Sequence, residues 1–552
     1  MESSLVVLGL LLVLVLISLG LDTHQCTLLS KSGMALLVGV LCGLAIAADE
    51  ELYARLDFRY SVFFDILLPP IIYEAGFSVQ RLAFFHNVGA ILSTAILGTL
   101  ISATVTGLLL FAAGQAACIP EIEWIEAFLF GALVSAVDPV ATLACFNKLH
   151  VPPLLFNIVF GESVLNDAVA IALYQSLLRY HSAGDVSALV LLQVLVQTFS
   201  ILLGSIAISL VLTLFAAFCF VRTTSLRAFP VYEVLVCFIV ALATYFAADT
   251  CAMSGIVSLF FAGMLTAHYM CPAMSVPGQT FFHHALEAAA FVCESLVYVF
   301  MGVSASLCFV QVADAERIHH TDVDWAFVAW TCGVLLLGRA LNTFPLLLVA
   351  NRYRVPSERV TLPMMVVIWF TGLRGAVSFA LVTTWSYVDS NGTSHRKLMI
   401  TTTLFVVMAT TWLIGGATGP LVRGLQLAQC RQSHGERLAI TPECDRHEPV
   451  AKLAVRQRSL SQTTSLEHQP SRAEEREVGA PSVRRLQAVF ALWIDRWRAF
   501  DETHLMPLFG RAHQPVAVAQ PASIAPQSVD PIEEDLQATE PTAPMAGSVS
   551  YE

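Results

Sequence analysis

Apolar residues run along this chain in long blocks separated by short polar stretches, and most blocks approach the roughly 20 residues that a helix needs to cross a bilayer. The blocks lie near residues 4–20, 33–48, 61–77, 85–113, 124–145, 152–178, 187–220, 231–247, 251–269, 283–308, 324–349, 361–385 and 398–422. The pattern predicts an all-α polytopic membrane protein of about thirteen transmembrane helices. The first block, MESSLVVLGLLLVLVLISLG, has neither the basic leader nor the small-x-small cleavage site of a signal peptide and reads as a retained first span.

Beyond residue 424 the pattern stops. Gln, Ser, Glu, Arg and Pro take over, which divides the chain into a transmembrane domain, 1–424, and a largely disordered regulatory tail, 425–552. Within the tail, residues 483–510 resist that description. Leu486, Val489, Phe490, Trp493 and Trp497 recur there at helical spacing, as in an amphipathic helix that lies on membrane lipids or on a partner. Fourteen of the thirty Lys and Arg residues follow residue 422. Short loops add a weaker bias of eight basic residues against six, and together these place the tail in the cytosol. Asn391-Gly-Thr393 then falls in an external loop as a possible glycosylation acceptor.

Composition agrees with a membrane protein: the 552 residues are 56% hydrophobic and 13% charged, against about 25% charged in soluble domains. A net charge of −12, with no basic run, argues against nucleic acid as a partner. The thirteen cysteines are scattered without CxxC pairs, so they read as buried thiols and neither a disulfide framework nor a zinc site. No Ser-His-Asp order, phosphate loop or nucleophile elbow is present, which argues against an enzyme, and no cofactor is implied.

Charge inside the spans is scarce and therefore informative. An ionisable group at the bilayer centre costs roughly 2.5–3.5 kcal/mol even on lenient insertion scales. The spans contain two basic residues, Arg339 and Arg374. Among the acids, Glu233, Asp249 and Glu287 fall near span ends and are expected at the interface, whereas Asp138, Glu162, Asp167 and Glu294 lie deeper. Ser163, Asn166 and Asp167 share one helix face by their i, i+3, i+4 spacing. The plainer alternative is a structural hydrogen-bonding cluster between helices. Asp138 precedes Pro139, which should open the fifth span, and Arg374 sits between Gly372 and Gly375 in the twelfth. With the seventh span as a linker, the spans form two halves of six, each with its interrupted helix in fifth place. Matched discontinuous helices in two inverted repeats point to a midplane site in a secondary transporter.

A carboxylate, a carboxamide and a hydroxyl are hard oxygen ligands suited to an alkali cation. The same carboxylate can take a proton instead, and mutually exclusive loads on Asp167 amount to antiport.

At these residues the chain resembles a known family. FFDILLPPIIYEAGF (63–77), SAVDPVATLACF (135–146), FGESVLNDAV (160–169), SGIVSLFFAGMLTAHY (254–269), CESLVYVFMGVS (293–304) and GLRGAVSFAL (372–381) resemble the eukaryotic Na+/H+ exchangers. YEAG and the tail motif WRAFDETHLMPLFG (497–510) look closer to the Golgi and endosome branch than to the plasma-membrane branch. The resemblance implies a homodimer with core and dimerisation domains that exchanges Na+ or K+ for H+ by elevator-like alternating access. It implies that Asp167 is the essential ion-binding aspartate, that Asn166 beside it goes with electroneutral exchange, and that Asp138 is the second acid of the site. It further implies a structural ion pair between Glu162 and Arg374, and an inhibitor-associated segment at Phe64, Leu68 and Pro70. Asp249 departs from an expected glutamate, and the tail diverges outside its one motif, so regulatory partners do not carry over. An uncoupled cation channel and a transport-inactive scaffold acting through the tail are the competing readings.

Overall fold

In hydrocarbon every backbone N–H and C=O must be satisfied by the protein itself, so long apolar blocks become helices. The computed structural model describes residues 2–24, 30–46, 60–79, 81–138, 140–149, 151–180, 188–313, 323–354, 359–372, 374–388, 394–427 and 496–510, and contains no strand among them. All belong to one compact unit that ends at Ala512. Asn391, Arg55, Arg59 and the tail residues Leu486, Val489, Phe490 and Trp493 lie outside the described residues.

In chain order the helices are α1 (Glu2–Thr23), α2 (Lys31–Ile46), α3 (60–78), α4 (Val88–Gln115), α5 (Trp124–Val134), α6 (Val140–Leu149), α7 (Pro153–Tyr180) and α8 (Ala188–Arg222). There follow α9 (Pro230–Thr250), α10 (Gly255–Leu265), α11 (Val276–Ala313), α12 (Trp325–Arg352), α13 (Leu362–Phe370), α14 (Ala376–Thr383), α15 (Arg396–Gly424) and, in the tail, α16 (496–509). Nine helices among the described residues are long and apolar enough to cross a membrane. The two expected interruptions are present, because helix stops at Val134 and resumes at Val140, and stops at Phe370 and resumes at Ala376.

Burial sorts the helices into rim and interior. In α1, Leu5, Leu8, Leu12, Leu16 and Leu19 are all exposed, and only 11% of its apolar window is buried. Such a surface suits lipid and would be costly in water. In α7 the buried share is 83%, so the helix that carries Glu162, Asn166 and Asp167 lies in the interior.

Glycines set the closest helix approaches, as small residues do where no hydrophobic drive separates protein from lipid. A Cβ on Gly39 of α2 would lie 2.3 Å from the Val299 carbonyl of α11, and one on Gly302 would lie 2.4 Å from the Leu36 carbonyl. α3 and α10 meet in the same way, through Gly76 and Gly263.

The tail returns to the helical body. Asp501 of α16 accepts a hydrogen bond from Tyr269 at 2.5 Å and lies 2.7 Å from His268 Nε2, just beyond α10. Phe509 packs against Phe218 and Tyr269.

Gly302→Val should force α2 and α11 apart at a cost of about 1–3 kcal/mol, seen as a lower melting temperature in detergent. Gly333→Ala, at a position with nothing within 4 Å, should leave it unchanged. Equal melting temperatures for the two variants would contradict this packing.

Candidate ion site at two broken helices

Residues 135–138 interrupt the path from α5 to α6. Proline at 139 removes an amide donor and pushes Asp138 out of the α region. The end of α5 then carries carbonyls that no later amide can reach. Arg374 supplies the donors, with Nη1 2.8 Å from the Ser135 oxygen and 3.1 Å from that of Ala136. A cation at a helix C-terminus also opposes the negative end of the helix dipole.

The second break, between α13 and α14, is treated in the same way. Arg339 Nη2 donates to the Ile368 carbonyl at 3.2 Å, near the end of α13. Gly375 precedes α14, and a Cβ there would lie 2.2 Å from the Asp138 Cβ and 2.3 Å from Oδ2. Only glycine allows this approach, and it brings the Asp138 carboxylate to the start of α14, where the dipole favours an anion. Thus Arg374 of the second break serves α5, and Asp138 of the first serves α14.

α7 lies across the first break. Ser163 Oγ donates to the Val137 carbonyl, while Asp167 Oδ1 accepts the Val137 amide at 3.1 Å. Residues one turn apart therefore hold both polar groups of one unwound residue. Asn166 faces elsewhere, and its Oδ1 accepts from Thr99 of α4 at 2.9 Å. Ser163, Asn166 and Asp167 are 2%, 1% and 7% exposed, so all three are inside the protein. The charged neighbours of Asp167 are Asp138 and Arg374.

The expected direct pairing of Glu162 with Arg374 is not what forms. Glu162 Oε1 accepts from Arg339 Nη1 of α12, both side chains being buried. Arg374 is turned to the α5 carbonyls and acts on Glu162 only through the electrostatic field. Both arginines sit one or two residues from helix-breaking or packing glycines, and nothing in the spacing alone distinguishes the partner of Glu162.

Tyr298 of α11 was not legible as a site residue, since it reads as one more aromatic in VYVF. It donates to Asp138 Oδ2. Glu294, one turn earlier, accepts from Ser32 of α2 at 3.0 Å, and Ser32 also interacts with Tyr298. Among the acids expected at span ends, Asp249 and Glu287 are exposed, whereas Glu233 is fully buried. Glu233 accepts from the Ser275 amide at 3.0 Å and hydroxyl at 2.5 Å, at the entry to α11. Phe64 and Leu68 are buried and Pro70 is half-buried on α3, which packs on α10 and α11, so they are not ligands of this centre. Tyr245 donates to the Phe64 carbonyl at 2.8 Å.

The polar groups gathered here are carboxylates, hydroxyls, an amide and backbone carbonyls. They form a hard donor set suited to an alkali cation or a proton.

The family model described as sodium/hydrogen exchanger, transmembrane, matches residues 8–424. Human sodium/hydrogen exchanger 8 is 33% identical over 518 residues, covering 92% of this chain and 82% of its own. Rat sodium/hydrogen exchanger 9 is 30% identical over 486 residues, covering 86% and 67%. Among solved structures, the sodium proton antiporter MjNhaP1 of Methanocaldococcus jannaschii at pH 8 aligns with a TM-score of 0.55 at 15% identity, over 77% of this chain and 100% of its own, a likeness of fold.

Removing one member of the buried Glu162–Arg339 pair should cost about 3–5 kcal/mol by leaving the other charge unpaired. Glu162→Leu and Arg339→Met should each lower folded yield, and the double substitution should recover much of it. Losses that simply add would show that the two side chains act independently.

Proposed function

This chain belongs to the sodium/hydrogen exchanger family, and on that premise we propose that it is a secondary antiporter that exchanges Na+ or K+ for H+ across its membrane, one for one. It is an integral membrane protein whose relatives are transporters rather than enzymes. The observation that carries the reading is Asp167, a buried carboxylate on the interior helix, bonded to an unwound backbone between two opened helices.

Asp167 takes either a proton or a cation, with Ser163, Asp138 and the carbonyls near Val137 as the other oxygens, while Asn166 beside it is held by Thr99. Either load neutralises a carboxylate whose bare charge costs roughly 2.5–3.5 kcal/mol in the bilayer centre. The unloaded carrier therefore does not return empty, and the two ions are coupled. One proton for one cation leaves no net charge moved, with Asn166 supplying a neutral neighbour where a second acid would add charge.

The nine long helices, together with α2, α3 and the divided pairs α5–α6 and α13–α14, give thirteen passes in this reading. They form two inverted repeats of six on either side of α8. The reciprocal contacts between the breaks support treating them as parts of one core that rises and falls against a dimerisation domain in a homodimer. By resemblance we assign the protein to Golgi or endosomal membranes, with the tail in the cytosol, setting luminal pH and Na+.

In proteoliposomes with an internal pH dye, an outward Na+ gradient should acidify the lumen, and an ion shunt should not change the rate. Asp167→Asn should abolish the signal while the protein still inserts and purifies normally. Retained exchange in that variant, or current without proton countermovement in the wild type, would refute the proposal.

A further inference from the structure

Glu294, Ser32, Tyr298 and Asp138 form an unbroken line of oxygens that runs from α2 and α11 to the first break. Ser32 stands in the first turn of α2, and its Oγ lies 3.0 Å from Glu294 Oε1 of α11. Ser32 is also in side-chain hydrogen-bond contact with Tyr298, one turn after Glu294 on α11. The Tyr298 hydroxyl in turn meets Asp138 Oδ2. Ser32 and Tyr298 are 2% and 3% exposed, so these links are made between side chains directly.

The protons available do not match the contacts. A hydroxyl carries one proton and can accept as well as donate. With both acids ionised, Ser32 donates to Glu294 and Tyr298 donates to Asp138, which uses both hydroxyl protons. The Ser32–Tyr298 contact then sets oxygen against oxygen, in a buried place where an unmade hydrogen bond is costly. One additional proton completes the line, and a carboxyl must hold it. On Glu294 it turns every O–H toward Asp138; on Asp138 it turns every O–H toward Glu294. The two arrangements differ by one proton moved from end to end, in three short transfers.

The two ends are comparably placed. Asp138 lies at the start of α14, and Glu294 is bonded to the first turn of α2, so a helix dipole favours the anion at either end. The charged groups that face Glu294 are Lys31 of α2, Glu74 of α3 and Asp138. Lys31 is itself 2.7 Å from Asp22. Asp138 also faces Asp167 of α7. Neighbouring acids that share one proton relieve the repulsion that two bare carboxylates would feel.

We propose that Glu294 and Asp138 hold one proton in common through Ser32 and Tyr298, and that this proton retreats to Glu294 when a cation occupies the Asp138 carboxylate. The O–H bond at Asp138 breaks and one at Glu294 forms, while Tyr298 and Ser32 each give one proton and receive another. No proton leaves the protein in this step. The proposal rests on the exchange reading and deepens it, because exchange stays one for one although two aspartates meet the cation. Asp167 trades its proton with the surroundings, whereas Asp138 passes its own to Glu294.

The apparent KM for Na+ is measured against pH in proteoliposomes, with and without an ion shunt. In the wild type only the Asp167 proton competes, so KM falls at most about tenfold per pH unit. Tyr298→Phe and Glu294→Gln each leave Asp138 to titrate alone. A second proton then competes, the profile steepens toward about a hundredfold per pH unit, and exchange becomes sensitive to the shunt. Ser32→Ala should do the same, and Ser32→Thr should restore the wild-type profile. Side chains that merely brace the helices would shift KM equally at every pH or lower the melting temperature, so profiles parallel to the wild type overturn the proposal. If one variant fails to fold, the other two decide. If the wild type itself does not exchange, the antiport reading fails, and infrared spectra of the purified protein decide on the shared proton. A protonated-carboxyl band removed by Glu294→Gln should then shift in Tyr298→Phe; no such band, or one indifferent to Tyr298, overturns the proposal.

Discussion

Opening a helix inside a bilayer leaves charged dipole ends that no water can reach, and the arrangement of this protein follows from how those ends are met. Arg374 closes the end of α5, Arg339 closes the end of α13, and Asp138 lies at the start of α14. Two of these three side chains belong to the opposite break. Each broken helix is thus completed by a side chain from the other. Glu162 then has a defined task, because Arg339 cannot lie buried at a carbonyl end without a counter-charge.

The interior position of α7 follows from the same constraint. It supplies Glu162 to one arginine and, from the next residue and one turn beyond that, Ser163 and Asp167 to the unwound Val137. Most of this helix is buried, and Asp167 with it. The glycine contacts between α2 and α11 hold Ser32, Glu294 and Tyr298 in register, so the support for Asp138 comes from a different pair of helices.

Much of this was legible in the residues themselves, and the division has a physical basis. The two interruptions could be read directly, because a pre-proline residue and an arginine between glycines act on their own backbone. The polar face of α7 could be read from spacing, which determines direction along a helix. Spacing does not determine what that face meets, and the face proved to be shared between Val137 and Thr99. The partner of Glu162 could not be read either: residues 339 and 374 both lie far from it along the chain, and only the fold selects between them. Glu233 lies at a span end as its position implies, but it is buried there because the turn before α11 folds over it. Tyr298 carried no signal, since an aromatic hydroxyl amid apolar neighbours is recognised only by what it touches.

The hold that α7 exerts on Val137 links chemistry to shape. In the proposed exchange, a proton or cation that draws electron density from Asp167 Oδ1 would weaken that oxygen as an acceptor, and the Val137 amide is the group that would lose. Loading and the geometry of the break therefore form one linked equilibrium, and linkage is reciprocal. Any movement that lengthens the amide contact strengthens the hold on the ion, and any that shortens it drives the ion off. Occupancy is in this way written into the backbone of the opened helix, where the rest of the protein can respond to it.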